Sequence, residues 1–315
     1  MLFSYLHMPR MPDVAAPPVI IANAHAGGGT SMHALQMAVR TQTKAVLHIT
    51  HSPEEAAVAM RTHWADGTRR FMAAGGDGTL HHLVNELHSM QRLVQANAVG
   101  LIPIGTGNDL AQTLQIPESL PEALHLACSA PPRRMDAVAI LRDDVPERLA
   151  LNVCAGGFGG YIDKALARGP KSLLGPLAYM MGAVRVLPKL RRYACTLTID
   201  EQPVHESETL NVIVANAPTA AGGIRVAPGA SPFDQTMHVV TVRPGSAAAV
   251  AGVVRRVLQG DYTTHPLVQS YTGTSLDIVS DPPMVFNADG ELLSYAPSGF
   301  RILSQRVPIA APPNL

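Results

Sequence analysis

Three short runs of this 315-residue chain combine glycine with small polar residues. They are Asn23-Ala24-His25-Ala26-Gly27-Gly28-Gly29, Gly75-Gly76-Asp77-Gly78-Thr79 and Gly105-Thr106-Gly107-Asn108. Glycine tolerates φ > 0 and lets backbone N–H groups approach phosphate oxygens. A run of this kind at the carboxyl end of a parallel strand is where α/β sheets take up phosphates and nucleotides. Each alone is equally a tight strand-to-helix turn. Three in one half of the chain point to an anion site. None is followed by Lys-Ser/Thr, so none is a P-loop, and AHAGGGTSMH lacks the GxGxxG spacing of a dinucleotide fold.

The elements that position these loops follow from the apolar pattern. Residues 19–23 (VIIAN), 45–50 (AVLHIT), 70–74 (RFMAA) and 98–103 read as buried strands. Helices are predicted at 31–40, 52–64 and 80–90. Ser52-Pro53-Glu54-Glu55 supplies an N-cap, a proline at N1 and acids in the first turn, and a Ser or Thr is expected to cap the first helix. Strand and helix alternating at short spacing predict a parallel α/β sheet. The pattern changes near residue 134. Segments 134–141, 148–153, 193–199, 209–215, 237–243 and 275–279 read as strands, with helices expected at about 173–191 and 246–259. The fold class is therefore α/β plus mainly-β. A nucleotide-binding domain is expected over 1–133 and a β-rich substrate domain over 134–295, divided at Pro131-Pro132.

Composition narrows the function. Lys+Arg and Asp+Glu both number 24, which excludes a polymer binder driven by bulk charge, and 4% aromatics argues against a base-stacking platform. Nucleic acid is not an expected partner. Cys128, Cys154 and Cys195 have no zinc or CxxC spacing and read as reduced thiols of a cytoplasmic protein. No apolar run reaches the ~18 residues of a membrane span. Membrane contact is expected to be peripheral and transient, and the sequence leaves a homodimer open. Gly 26 and Pro 26 exceed the usual levels of about 7% and about 5%, and the excess belongs in loops and tight backbone approaches.

The strand–Gly75-Gly76-Asp77-Gly78-Thr79–helix unit and Pro103-Ile104-Gly105-Thr106-Gly107-Asn108-Asp109-Leu110-Ala111 resemble the GGDGT and PxGTxNDxA motifs of the diacylglycerol kinase catalytic-domain family. That family includes bacterial soluble lipid kinases and is related to sphingosine and ceramide kinases. NAD kinases share GGDGT but carry a different segment where this chain has GTGND. The resemblance continues in the same order through 152–160 (NVCAGGFGG), 216–230 and Asn287-Ala288-Asp289-Gly290-Glu291.

The resemblance implies an N-terminal three-layer α/β domain of the phosphofructokinase/NAD-kinase type and a C-terminal β-sandwich-like domain, with 296–315 returning to the first. It implies ATP and Mg2+ as cofactors and a hydroxyl of diacylglycerol or a related lipid as acceptor, in the cleft between domains. Carried to the matching positions, it implies ATP contacts at Asn23, Ala24, His25, Ala26, Gly27, Thr50, Gly75, Gly76, Asp77, Gly78, Thr79, Leu80, His81, Thr106, Asn108 and Asp109, with Asp77 also holding Mg2+. Glu291 is implied as the proton acceptor and Asp289 as its assistant, both carboxylates turned into one cleft. A second, structural Mg2+ is implied at Ser231, Asp234 and Thr236.

The chain also departs from the family pattern. Ala24 replaces a proline, Asp234-Gln235 replaces Asp-Gly, and His82 stands where the family has Glu. The alternatives to a lipid kinase are a soluble-acceptor kinase of the NAD-kinase type and a catalytically silent nucleotide- or lipid-binding protein. The apolar, methionine-containing stretch 175–190, followed by Arg191-Arg192, suits a lipid tail beside an anionic surface, or core packing.

Overall fold

The computed structural model describes residues 16–105, 107–157 and 191–313. Thr106, the 158–160 part of the NVCAGGFGG motif and nearly all of the helix expected at 173–191 lie outside them.

Strands β1 (Val19–Asn23), β2 (Val46–Thr50), β3 (Arg70–Gly75) and β4 (Ala98–Pro103) lie parallel in the order β2-β1-β3-β4. Helices cover both faces, which is why the inner strands read as unbroken apolar runs. Val19, Ile21, Phe71 and Ala73 pack with Met60 and Trp64 of α2 (Pro53–Ala65) and with Leu80 and Leu83 of α3 (Asp77–Ser89). The alternate residues Ile20, Ala22, Met72 and Ala74 pack with Leu35 and Val39 of α1 (Gly28–Gln42) and with Leu124 and Ala127 of a later helix, Leu120–Ser129. The short α4 (Asp109–Thr113) precedes that helix, which is α5. This is a three-layer α/β arrangement.

Ser52 caps α2 as its sequence predicts, accepting the Glu55 N–H at 3.2 Å. Two helix starts differ from expectation. No Ser or Thr caps α1; its N-cap is Gly27 at φ 66. Helix α3 begins at Asp77, so Asp77, Gly78 and Thr79 form its first turn instead of a loop before it.

The second half is built from β5 (Pro132–Arg142), β6 (Val145–Ala150), β7 (Val153–Gly157), β8 (Tyr193–Ile199), β9 (Gln202–Thr209), β10 (Asn211–Ala215), β11 (Thr219–Ala220), β12 (Ile224–Arg225), β13 (Met237–Val242), α6 (Ala247–Gln259), β14 (Val268–Gly273), β15 (Ser275–Asp281), β16 (Phe286–Ala288), β17 (Glu291–Leu292) and β18 (Gly299–Ala310). A six-stranded sheet, β14-β13-β10-β7-β16-β17, places Cys154, Val212, Val214, Val239 and Phe286 against Val138, Ile140, Leu197, Ile278 and Phe300 of β5, β8, β15 and β18. Val253 of α6 and Tyr262 cover its other face over Ile213 and Val240. The result is β-sandwich-like. The single strand expected at 148–153 is two strands, because the chain breaks at Leu151-Asn152.

Strand β18 joins the two halves. It runs antiparallel to β15 and along β5, and its far end lies parallel to β4 at Ile309–Val99. Its register shifts between Leu303 and Val307, where Gln305 takes φ 53. Asp136 of β5, fully buried, accepts the N–H of Gln305 and of Gln235, each at 2.7 Å. The carboxylate thereby satisfies two donors that the bulge and the 231–236 turn would leave unpaired. Asp136→Ala is expected to cost about 2–4 kcal/mol through those orphaned N–H groups. Urea denaturation of wild type and variant measures it.

Candidate active site

The three glycine runs meet at the carboxyl ends of β1, β3 and β4, and they pack on one another. A side chain at Gly105 would place Cβ 2.6 Å from Gly76 Cα, and one at Gly27 would place it 2.3 Å from the Ile104 carbonyl. Part of the glycine content thus serves backbone-to-backbone approach. Gly28, Gly29 and Gly78 have open space where a Cβ would stand. They sit in the first turns of α1 and α3, neither of which has a side-chain cap. Free N–H groups at a helix N-terminus favour an anion. Around them, Asn23 Oδ1 accepts the His25 N–H at 2.9 Å, and the Thr50 hydroxyl donates to the Ala22 carbonyl at 3.2 Å. Asn108, at φ 53, donates to the Gly105 carbonyl, and its buried Oδ1 has no partner among the described residues.

Asp77 and Asp109 bind the loops together. Asp77 accepts the N–H groups of Asp109 at 2.7 Å and Leu110 at 3.2 Å, which caps α4. Asp109 in turn accepts the N–H groups of Gly222 at 2.8 Å and Gly223 at 2.6 Å. Both glycines have positive φ, 83 and 94, so their amides form a concave pair facing one carboxylate. Burial, then the neighbouring Asp109 charge, pushes the Asp77 carboxyl up to about 6 against its two hydrogen bonds.

The acid turn splits into two roles. Asp289 and Gly290, at φ 48 and 92, form a two-residue hairpin loop between β16 and β17. The Asn287 side chain supports it by accepting the Gly290 N–H at 2.9 Å. Asp289 does not look into the cleft as expected. Its side chain is 2% exposed and accepts the N–H groups of Leu151 at 2.6 Å and of Asn152 and Val153 at 2.9 Å. Its Oδ2 also lies 2.8 Å from His81 Nδ1. Glu291 is the acid left at the surface of the site. Its Oε1 lies 2.8 Å from His82 Nε2, and its Oε2 accepts from Arg148 at 2.5 Å. Hydrogen bonding by His82, aided by the charges of His82 and Arg148, holds the carboxyl down at about 2 despite partial burial.

The other expected residues take more structural positions. Leu80 and His81 are fully buried, so as side chains they belong to the interior. Asp234 accepts the N–H and hydroxyl of Thr236 at 3.0 and 2.9 Å, and Ser231 accepts the Phe233 N–H at 3.4 Å. That is an Asx turn leading into β13. Among the described residues, no three His, Cys, Asp or Glu side chains gather into a metal-holding group.

A cavity of about 570 Å3 lies beside these groups. Asn23, His25, Thr50, Thr79 and His82 line it from the α/β half, and Arg148 and Tyr295 line it from the β-rich half. Sequence reasoning missed Arg148 and Asn85, which exchanges hydrogen bonds with the Leu149 backbone and ties α3 to β6. No motif marks either. His82 was visible only as a departure.

Residues 17–140 match the family model of the diacylglycerol kinase catalytic domain, and residues 154–311 match that of the YegS C-terminal NAD kinase beta sandwich-like domain. The chain belongs to the diacylglycerol kinase catalytic-domain family. It is 25% identical over 244 residues to the diacylglycerol kinase of Staphylococcus saprophyticus, covering 78% of this chain and 77% of the relative. It is 26% identical over the same length to that of Staphylococcus aureus, covering 78% and 75%. A crystal structure of a diacylglycerol kinase from Bacillus anthracis has the same fold, with a TM-score of 0.74 at 20% identity, over 94% of this chain and 97% of that one. The family membership supports a lipid kinase.

Two predictions follow from the geometry. Gly105→Ala forces backbone apart and is expected to lose about 1–3 kcal/mol, whereas Gly29→Ala meets open space and is expected to be neutral or stabilising by up to about 1 kcal/mol; chemical denaturation distinguishes them. The raised Asp77 carboxyl favours the folded state while protonated, and that contribution is lost as pH rises through about 6. In the ligand-free protein the melting temperature of Asp77→Asn should therefore gain on wild type as pH crosses that value.

Proposed function

We propose that the chain is an ATP- and Mg2+-dependent lipid kinase, transferring the γ-phosphate of ATP to a hydroxyl of diacylglycerol or a related lipid. The proposed site is the cleft between the unit 1–133, joined by 296–315, and the unit 134–295. The observation that carries this reading is convergence. The 75–79 loop, the 105–109 turn and the 289–291 hairpin are far apart in sequence and are tied together beside one cavity.

Phosphoryl transfer requires positioning, neutralisation of phosphate charge and a destination for the acceptor proton. In this reading the uncapped N-termini of α1 and α3 receive phosphate oxygens over Gly28, Gly29 and Gly78. Asn23, Ala24, His25, Ala26, Gly27, Thr50, Gly75, Gly76 and Thr79 shape the nucleotide side. Asn108 shapes the neighbouring turn, and Thr106 is proposed as a further nucleotide contact.

Asp77 is the one acidic oxygen donor proposed for the Mg2+ at the phosphates. Among the described residues no cluster of three ligating side chains adds to it, so phosphate and water oxygens would complete the shell, a donor set that suits this ion. Bound Mg2+ would supply charge neutralisation at the phosphates. Asp109, Leu80, His81 and Asp289 act by holding the loops and the hairpin. Glu291 is the acid at the acceptor end. A second, structural Mg2+ is proposed at Ser231, Asp234 and Thr236, where the turn engages only one Asp234 oxygen, Oδ1, through the Thr236 N–H and hydroxyl.

Among the described residues no helix is long and apolar enough to cross a membrane. The lipid is proposed to be met at the membrane surface.

The test is transfer of labelled γ-phosphate to a panel of lipids, with products identified by mass. Wild type should label a lipid hydroxyl with Mg2+ and lose activity on chelation. Glu291→Ala should lower kcat by about 100- to 10,000-fold with ATP binding retained. Equal activity in that variant removes Glu291 from the site. Labelling of NAD with no labelling of lipid replaces the proposal with the soluble-acceptor reading.

A further inference from the structure

We propose that His48 and His63 form a binding site for a divalent transition metal of the copper, nickel and zinc class, at the edge of the α/β half. The inference stands independently of the kinase reading.

The two imidazoles come from different elements. His48 is on β2, the edge strand of the parallel sheet, and His63 is in the last turn of α2. Their Nε2 atoms lie 2.7 Å apart, with ring centroids at 4.6 Å and ring planes at 68°. Neither Nδ1 has a partner among the described residues. Each ring is therefore free to carry its hydrogen on Nδ1 and to turn an Nε2 lone pair to a metal, the form in which neutral imidazole ligates.

The separation is close to that of a chelate. Metal–imidazole bonds of about 2.0–2.1 Å place two nitrogens about 2.9 Å apart at a 90° angle and about 3.3 Å apart at the tetrahedral angle. The observed 2.7 Å falls nearer the first value, so the rings need to part only slightly. A 90° angle between nitrogen ligands belongs to the tetragonal geometry of Cu2+ and Ni2+. Zn2+ asks for a wider opening of the same pair. Ligation by nitrogen alone does not suit Mg2+, which takes oxygen donors. This position is thus chemically distinct from those proposed for Mg2+.

The scaffold holds both ligands in place. β2 pairs with β1 along its whole length, with His48 opposite Ile21. Helix α2 is anchored in the core by Met60 and by Trp64, the neighbour of His63. Two ligands mounted on a paired strand and a packed helix are preorganised, which lowers the cost of binding. The last turn of a helix also favours positive charge, and a dication bound by His63 would lie there.

The surroundings leave room for the rest of the shell. His48 and His63 are half-buried and line a surface groove of about 550 Å3, which gives an ion its entry path. Glu55, on the same groove, is engaged by the His51 N–H at 2.7 Å. Among the described residues no third His, Cys, Asp or Glu joins the pair, so water would fill the remaining positions. Bound metal would pin the end of α2 to the sheet edge.

The test titrates the full chain, stripped with chelator, with Cu2+, Ni2+, Zn2+ and Mg2+ in separate calorimetric runs. Wild type should bind one transition-metal ion at this site, most tightly for Cu2+, and Mg2+ should not compete for it. His48→Gln and His63→Gln should each weaken that binding by more than about 10-fold, whereas His33→Gln, on the exposed side of α1, should leave it unchanged. Thermal melts in chelator confirm that the variants fold. A second arm uses wild type alone: Zn2+ or Ni2+ should protect His48 and His63 from diethyl pyrocarbonate, mapped by mass spectrometry. Unchanged affinity in either variant, or equal modification of the two histidines with and without metal, overturns the site.

Discussion

The structure turns on one buried carboxylate. Asp289 accepts three consecutive backbone N–H groups, those of Leu151, Asn152 and Val153, and faces His81 of α3. Those amides belong to the break between β6 and β7, which no ladder could satisfy. A carboxylate there removes three orphan donors at once, and bonds of this charge-assisted kind are among the stronger ones in proteins. Because the same side chain sits in the β16–β17 hairpin, it fixes where Glu291 emerges. Because it meets His81, it fixes how α3 sits against the β-rich half. His82, the next residue on that helix, then falls beside Glu291.

A second acid pair does comparable work at the glycine-rich loops. Asp77 caps α4, and Asp109 engages the amides of Gly222 and Gly223. Burial and the neighbouring Asp109 charge raise the Asp77 carboxyl to about 6, which makes this connection dependent on charge. The three glycine runs and the 222–223 turn are therefore mechanically joined. An anion or cation at Asp77 would be felt in the β-rich half through two hydrogen-bonded steps.

The fold was unevenly legible. Strands β1 and β4 coincide with the predicted runs, and β3 differs by one residue, because strands buried on both faces are continuous in apolar residues. The strands not anticipated lie mostly where that signal fails. β9, β14 and β17 are sheet edges with solvent on one side, and polar residues such as Gln202, Glu208, Gln269 and Ser270 interrupt any alternation. β18 is split by its bulge at Ser304-Gln305-Arg306, so it reads as two fragments. The start of α3 was placed late because Gly76-Asp77-Gly78 is a poor helix former by composition. The helix begins there with its N-cap Gly76 close against Gly105 and Asp77 bonded to the Asp109 and Leu110 amides.

For the site, the residue types and order along the chain were sufficient to recognise the family and to mark the loops, the acid turn and the His82 departure. Local chemistry determines such features: a glycine where backbones must touch, an Asp-Gly where φ must be positive twice, a Ser-Pro-Glu-Glu at a helix start. Partnership is not local. That Asp289 faces inward while Glu291 meets His82, that Arg148 closes on Glu291, and that Asp109 occupies the Gly222-Gly223 amides follow from pairings between residues about 110 to 210 positions apart. No periodicity or motif encodes the distance between two such groups. Only packing of the two halves through β18 and α3 brings them within hydrogen-bond reach, and so decides which acid is a buried strut and which stays partly exposed.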